Sequence, residues 1–95
     1  MLFYPTMHFN DRWEERVAPQ LPSVRELNEI IEGSVRIQKQ RDLFTPKGYR
    51  QRVLALYWNP DKNVVFKVDQ KAGKVVTCLT PELAREICSD ETSDW

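Results

Sequence analysis

The stretch SVRELNEIIEGSVRIQ, residues 23–38, holds the change of period that decides the fold. Ser23 and Glu26 have the spacing of a capping box, in which a serine hydroxyl and a glutamate carboxylate each take a free backbone N–H at a helix start. Val24, Leu27 and Ile31, with Ile30 beside them, recur at helical spacing as one apolar stripe. Glu26, Glu29 and Glu32 form a solvated face, and Gly33 is a natural helix stop. Beyond it Val35 and Ile37 alternate with Arg36 and Gln38, the period of a strand. Helix lies before Gly33 and strand after it.

Toward the N-terminus, Phe9, Trp13 and Val17 stand four apart and predict a second amphipathic helix. Thr6 is its N-cap, following Pro5, and Pro19 and Pro22 end it. Residues 1–4 are short and apolar, suited to an edge strand or a packed arm. Toward the C-terminus, turn signals at TPKG (45–48), NPDKN (59–63) and DQKAG (69–73) separate strand-like segments at 49–58, 64–68 and 74–79. The apolar run 53–58 predicts a central strand covered on both faces. Thr80, Pro81 and Glu82 signal a last helix carrying Leu83, Ala84 and Ile87, and the acidic tail 89–95 reads as frayed. This order predicts a single α+β domain over residues 1–95. Two N-terminal helices pack on a three- to four-stranded antiparallel meander sheet, and a short C-terminal helix follows.

No segment approaches the roughly 20 apolar residues of a membrane span. The opening MLFYPTMHF lacks the basic region and long apolar core of a signal peptide. Cys78 and Cys88 have neither metal-ligand spacing nor companions for a disulfide framework, and read as free thiols of a cytoplasmic protein. The net charge of zero conceals a segregation. Residues 34–74 hold ten basic side chains against three acidic ones, giving +7, while the flanks 1–33 and 75–95 carry −3 and −4. A cationic middle can attract a polyanion or be a solvated strand face.

His8, Arg12 and Arg16 form a column on the first helix, since residues four apart stack on one side. The column lies about 100° around from the apolar stripe, at the rim of the packed face. It sets the single histidine of the chain beside two permanent cations whose mutual repulsion a bound phosphate would relieve. Metal-independent RNA cleavage needs a base for the 2′-hydroxyl proton, cations for the phosphorane and an acid for the leaving oxygen. His8 can serve as base or acid, and the two guanidiniums can fork onto phosphate oxygens. Thr77 could orient the phosphate, and Arg50, Arg52 and Lys67, on predicted strands, could follow an RNA backbone. Tyr49, Tyr57 and Trp58 could stack on bases or serve as core. The plainer reading makes His8 a surface residue, pairs the arginines with Asp11, Glu15 or second-helix carboxylates, and makes Thr77 a β-favouring residue. Neither a metal-ligand cluster, a Gly-rich phosphate loop nor a GxSxG elbow is present, so no metal or other cofactor is expected.

The segment His8-Phe-Asn-Asp-Arg12-Trp-Glu-Glu-Arg16-Val17 resembles the His-x3-Arg-x3-Arg helix that opens a group of small bacterial RelE-like domains of the barnase–EndoU–colicin–RelE fold. Those domains end on a hairpin similar to Val68-Asp69, Gly73 and Val75-Val76-Thr77. Together the two matches span about a third of the chain. The resemblance implies His8 as acid or base, Arg12 and Arg16 as phosphate ligands and Thr77 as an auxiliary. Val17-Ala18-Pro19 departs from the Gly and aliphatic residue common after the second arginine. The segment 38–50 is long and strongly basic. With one histidine only, the acid–base partner of His8 would be a Lys, Tyr or carboxylate. The resulting expectation is a cytoplasmic toxin-type endoribonuclease that acts on RNA, including ribosome-associated mRNA. A cognate antitoxin or immunity protein would cover its basic face. The alternatives are a non-catalytic module of phage or mobile-element type that binds nucleic acid or protein, and a subunit of a larger assembly.

Overall fold

The computed structural model describes the backbone of residues 2–91 and their side chains, apart from those of Gln51 and residues 87–91. The chain opens with strand β1 (Tyr4–Pro5), followed by helices α1 (Met7–Arg16) and α2 (Val24–Glu32). Strands β2 (Val35–Gln38), β3 (Arg41–Phe44), β4 (Arg50–Val53), β5 (Ala55–Asn59), β6 (Val64–Asp69) and β7 (Lys74–Leu79) come next, and helix α3 (Pro81–Glu91) closes the described span. The α+β class and the order of helices and strands hold. The sheet itself differs from the expected antiparallel meander. Five strands pair in the order β1-β7-β6-β5-β2, with β1 parallel to β7, and β3 and β4 form a separate two-stranded ribbon.

The caps follow from hydroxyl side chains. Thr6 accepts from the Phe9 N–H at 3.1 Å, Ser23 from Glu26 N–H at 3.1 Å and Thr80 from Leu83 N–H at 3.3 Å. Each satisfies a donor that the first helical turn cannot pair internally. Gly33 stops α2 with φ −82°, without the left-handed turn that glycine permits. The Thr45–Gly48 turn does use that region, with φ 85° at Gly48.

The sheet is covered on both faces. On one, α1 and α2 place Phe9, Trp13, Leu27 and Ile31 against Val64, Phe66, Val68, Val75 and Cys78. Phe9, Trp13 and Phe66 form a three-ring cluster with centroids 5.8–6.2 Å apart. Contacts of this kind add about 1 kcal/mol each beyond area burial. On the other face Leu56, Val65 and Leu79 pack with Ala84 and Leu83 of α3. The side chain of Ile87, expected there too, lies outside the described residues. α3 continues through Glu91, so its backbone takes in residues 89–91 of the acidic tail.

The apolar run 53–58 is not one strand. Val53 ends β4, and Leu54 carries the chain from the ribbon into the sheet, its carbonyl accepting from Gln38 Nε2 at 2.8 Å. β6 lies at the centre of the five, with β5 beside it.

The N-terminal arm is fixed by a polar residue inside the α2 stripe. Asn28, only 6% exposed, accepts from Phe3 N–H at 2.8 Å and donates to Phe3 O at 2.9 Å. It thereby imitates a neighbouring strand. This pairing holds residues 3–6 in line with the start of α1.

Candidate functional site

α1 lies along β7 and carries three of the expected catalytic residues, His8, Arg12 and Arg16. Beyond Val75, β7 has no strand on its outer side among the described residues, since β1 pairs only with Lys74 and Val75. The carbonyls there need other donors. Thr6 Oγ1 donates to Val76 O at 2.9 Å, and Arg16 Nη1 donates to Cys78 O at 2.8 Å. Both ends of α1 are therefore tied to the same strand edge, across 70 and 62 residues of sequence.

A bulge decides where Thr77 points. Lys67 pairs with Thr77 but the next residue, Val68, pairs with Val75, so Val76 is extra. The extra residue shifts the alternation. Val75 and Cys78 face α1, whereas Thr77 and Leu79 face the α3 side. Thr77 is buried, and its Oγ1 reaches the Cys78 carbonyl at 3.5 Å, the outer limit of a hydrogen bond. Arg16 and Thr77 thus approach one carbonyl oxygen from opposite faces of the sheet. Thr77 reaches the α1 column only through that oxygen and not through a shared surface.

Arg12, one turn before Arg16, is ion-paired to Glu15 at 2.6 Å. Both partners are substantially exposed, so the pair is worth under about 1 kcal/mol and a phosphate could displace it. Arg16 spends one of its five donors on Cys78 O and keeps the rest. His8 is exposed in the first turn of α1. Burial pushes the Cys78 thiol up from 9.0 to about 11, against the opposing charges of Arg16 and Arg12, which lie close to it.

The expected RNA-binding residues lie elsewhere. Lys67, half-buried on the α3 side of the sheet, stands in register between Leu56 and Thr77. Arg50 and Arg52 belong to the ribbon and are engaged by carboxylates. Arg50 lies 2.9 Å from Asp42, and Arg52 lies 3.9 Å from Asp42 and 3.6 Å from Asp69. Lys71 joins them at 3.6 Å from Asp42. Partial desolvation raises the Asp42 carboxyl, but the Arg50 hydrogen bond and the charges of Arg50, Lys71 and Arg52 outweigh it and hold it below its ordinary 3.8. Asp69 behaves alike, with desolvation outweighed by N–H donors from Ala72 and Lys71, the Gln40 side chain and Arg52. Of the residues expected to follow RNA, Arg50 and Arg52 thus pair with Asp42 and Asp69 between the ribbon and the β6–β7 turn.

Of the aromatic candidates, Tyr57 packs beside the main core and its hydroxyl accepts from Gln70 Nε2 at 2.7 Å, and Trp58 packs on the α3 side. Tyr49 is exposed. Among the described residues no group of three His, Cys, Asp or Glu side chains could hold a metal ion, and no helix is long and apolar enough to cross a membrane. Two positioning residues, Asn28 and the Cys78 carbonyl, escaped the sequence reading. Asn28 had a signal, since it interrupts an apolar stripe. Compared with known proteins, the chain gives no significant match to any family model, curated protein or solved structure.

Proposed function

We propose that the α1–β7 seam binds a backbone phosphate of RNA, and that the protein is a metal-independent endoribonuclease of toxin type. One observation carries this reading: Arg16 is fixed on the Cys78 carbonyl with donors to spare, and Arg12 and His8 stand in column with it on the same helix. A guanidinium already immobilised loses little further freedom on closing its fork around a phosphate. In the reaction the neutral His8 imidazole takes the 2′-hydroxyl proton as the 2′-oxygen attacks phosphorus. The bond to the 5′-oxygen breaks, that oxygen takes a proton from water, and a 2′,3′-cyclic phosphate remains. Arg12 and Arg16 carry the added charge of the phosphorane. Thr77 acts through the carbonyl that it shares with Arg16. A cognate antitoxin or immunity protein would present carboxylates to the same cations.

The test is purified protein with total RNA in EDTA. Wild type should cleave the RNA and His8→Ala should leave it intact; equal outcomes remove the enzyme. The burial of Thr77, and a His8 that has no hydrogen bond or ion pair to a second acid–base side chain among the described residues, favour a second reading, a binder that does not cleave. That protein would bind RNA in a salt-sensitive way, lose binding in Arg12→Ala and be unchanged in His8→Ala.

A further inference from the structure

The β3–β4 ribbon stands off the body of the protein, and neither strand makes extensive contact with any other element. Its turn is closed by Thr45, whose N–H donates to Tyr49 O at 2.8 Å and whose Oγ1 accepts from Tyr49 N–H at 3.1 Å. Its base is held by the Asp42 and Asp69 ion pairs and by Gln40, which donates to Asp69 at 3.2 Å and accepts from Gln70 N–H at 2.7 Å. The ribbon is therefore stiffened at both ends. Toward its tip it exposes two aromatic rings, Phe44 at 73% and Tyr49 at 71%, while Phe9, Trp13 and Phe66 are buried. Phe44 pairs with Arg50 and Tyr49 with Thr45, so the rings lie on opposite faces of the ribbon.

The charge around these rings is one-sided. Between residues 39 and 52 the chain carries Lys39, Arg41, Lys47, Arg50 and Arg52 against Asp42 alone. Asp42 takes Arg50 and Arg52, whereas Lys39, Arg41 and Lys47 have no ion pair among the described residues. We infer that the ribbon is a platform for single-stranded nucleic acid, with bases stacking on Phe44 and Tyr49 and the backbone following Lys39, Arg41 and Lys47. Every base has a π-face, so stacking on exposed rings works without sequence preference. In a duplex those faces are already stacked on one another and the rings have nothing to cover. An acidic protein could meet the cations, but it would not call for an exposed ring on each face of a stiff ribbon.

The platform is separate from the α1–β7 seam and stands whether or not that seam acts on RNA. The experiment is fluorescence anisotropy with a labelled 12-mer of uridylate and with a duplex of the same length, on the full chain. Phe44→Ala and Tyr49→Ala should each weaken single-strand binding about tenfold with an unchanged salt slope. Lys47→Gln should lower that slope by about 0.7. Circular dichroism checks that each variant stays folded, and Arg12→Ala serves as the seam control. Binding by Phe44→Ala/Tyr49→Ala equal to wild type overturns the proposal, as does a duplex that binds as tightly as the single strand. If only Arg12→Ala loses binding, the seam alone holds nucleic acid. A wild type that binds neither probe and instead self-associates through Phe44 makes the ribbon a protein interface and also overturns it.

Discussion

Thr6 performs two tasks with one hydroxyl, which makes its contribution calculable. Its oxygen accepts from Phe9 N–H at 3.1 Å and its proton goes to Val76 O at 2.9 Å. Thr6→Val keeps shape and β-branching but removes both bonds. Loss of an N-cap hydroxyl costs about 1 kcal/mol. Loss of a net intramolecular hydrogen bond costs about 1 kcal/mol more, with the acceptor residue Val76 half-buried. The expected destabilisation is about 2 kcal/mol, roughly 30-fold in the folding equilibrium. Urea denaturation followed by tryptophan fluorescence reads it directly. With an m-value of about 1.2 kcal/mol/M for a chain of this size, the midpoint should fall by about 1.7 M. Thr6→Ser keeps both bonds and should lose less than about 0.5 kcal/mol. A midpoint shift below about 0.4 M in Thr6→Val, or one of about 1.7 M in Thr6→Ser, would refute the account of the hydroxyl as cap and strand clasp together.

Two further outcomes follow from titrating groups. Asp42 and Asp69 have folded pKa values below their ordinary 3.8, so their contribution to stability is complete above that value and is lost as pH falls through the lower folded values. An acid titration by NMR should therefore loosen the ribbon base below pH 3.8, and Asp42→Asn should shrink that step to the part carried by Asp69. Cys78, with its thiol raised to about 11, should resist iodoacetamide at pH 8 in a Cys88→Ser background and react when urea unfolds the chain. Rapid labelling of the native protein would contradict its burial.

The helix starts were open to reading because a cap is a local event: Thr6, Ser23 and Thr80 each act within three residues of themselves. The column His8, Arg12 and Arg16 was legible for the same reason. What the pattern concealed was a change of hydrogen-bond partner without a change of hydrophobicity. Leu54 looks like its neighbours, yet the chain leaves one sheet there and enters another. The bulge at Val76 was concealed as well, since Val75 and Thr77 have the spacing of one strand face and occupy two. The edge position of β1 is open to reading, but its parallel pairing with β7, 70 residues away, and the Asn28 bonds to Phe3 beside it are not. Arg50 and Arg52 show the limit of a charge count, because Asp42 and Asp69 reach them only in the folded chain.

The clasp between α1 and β7 also orders events in time. The ribbon and the β5–β6 and β6–β7 hairpins join residues close in sequence and can close early. The seam joins Thr6 to Val76 and Arg16 to Cys78, so it has loops of 70 and 62 residues to close. During synthesis from the N-terminus, His8, Arg12 and Arg16 are made first and wait for β7, more than 60 residues later, before Arg16 finds its carbonyl. A nascent or partly unfolded chain thus carries the residues of the seam without its geometry. Any activity that resides there switches on only with completion of the fold and is the first to disappear when the strand edge opens.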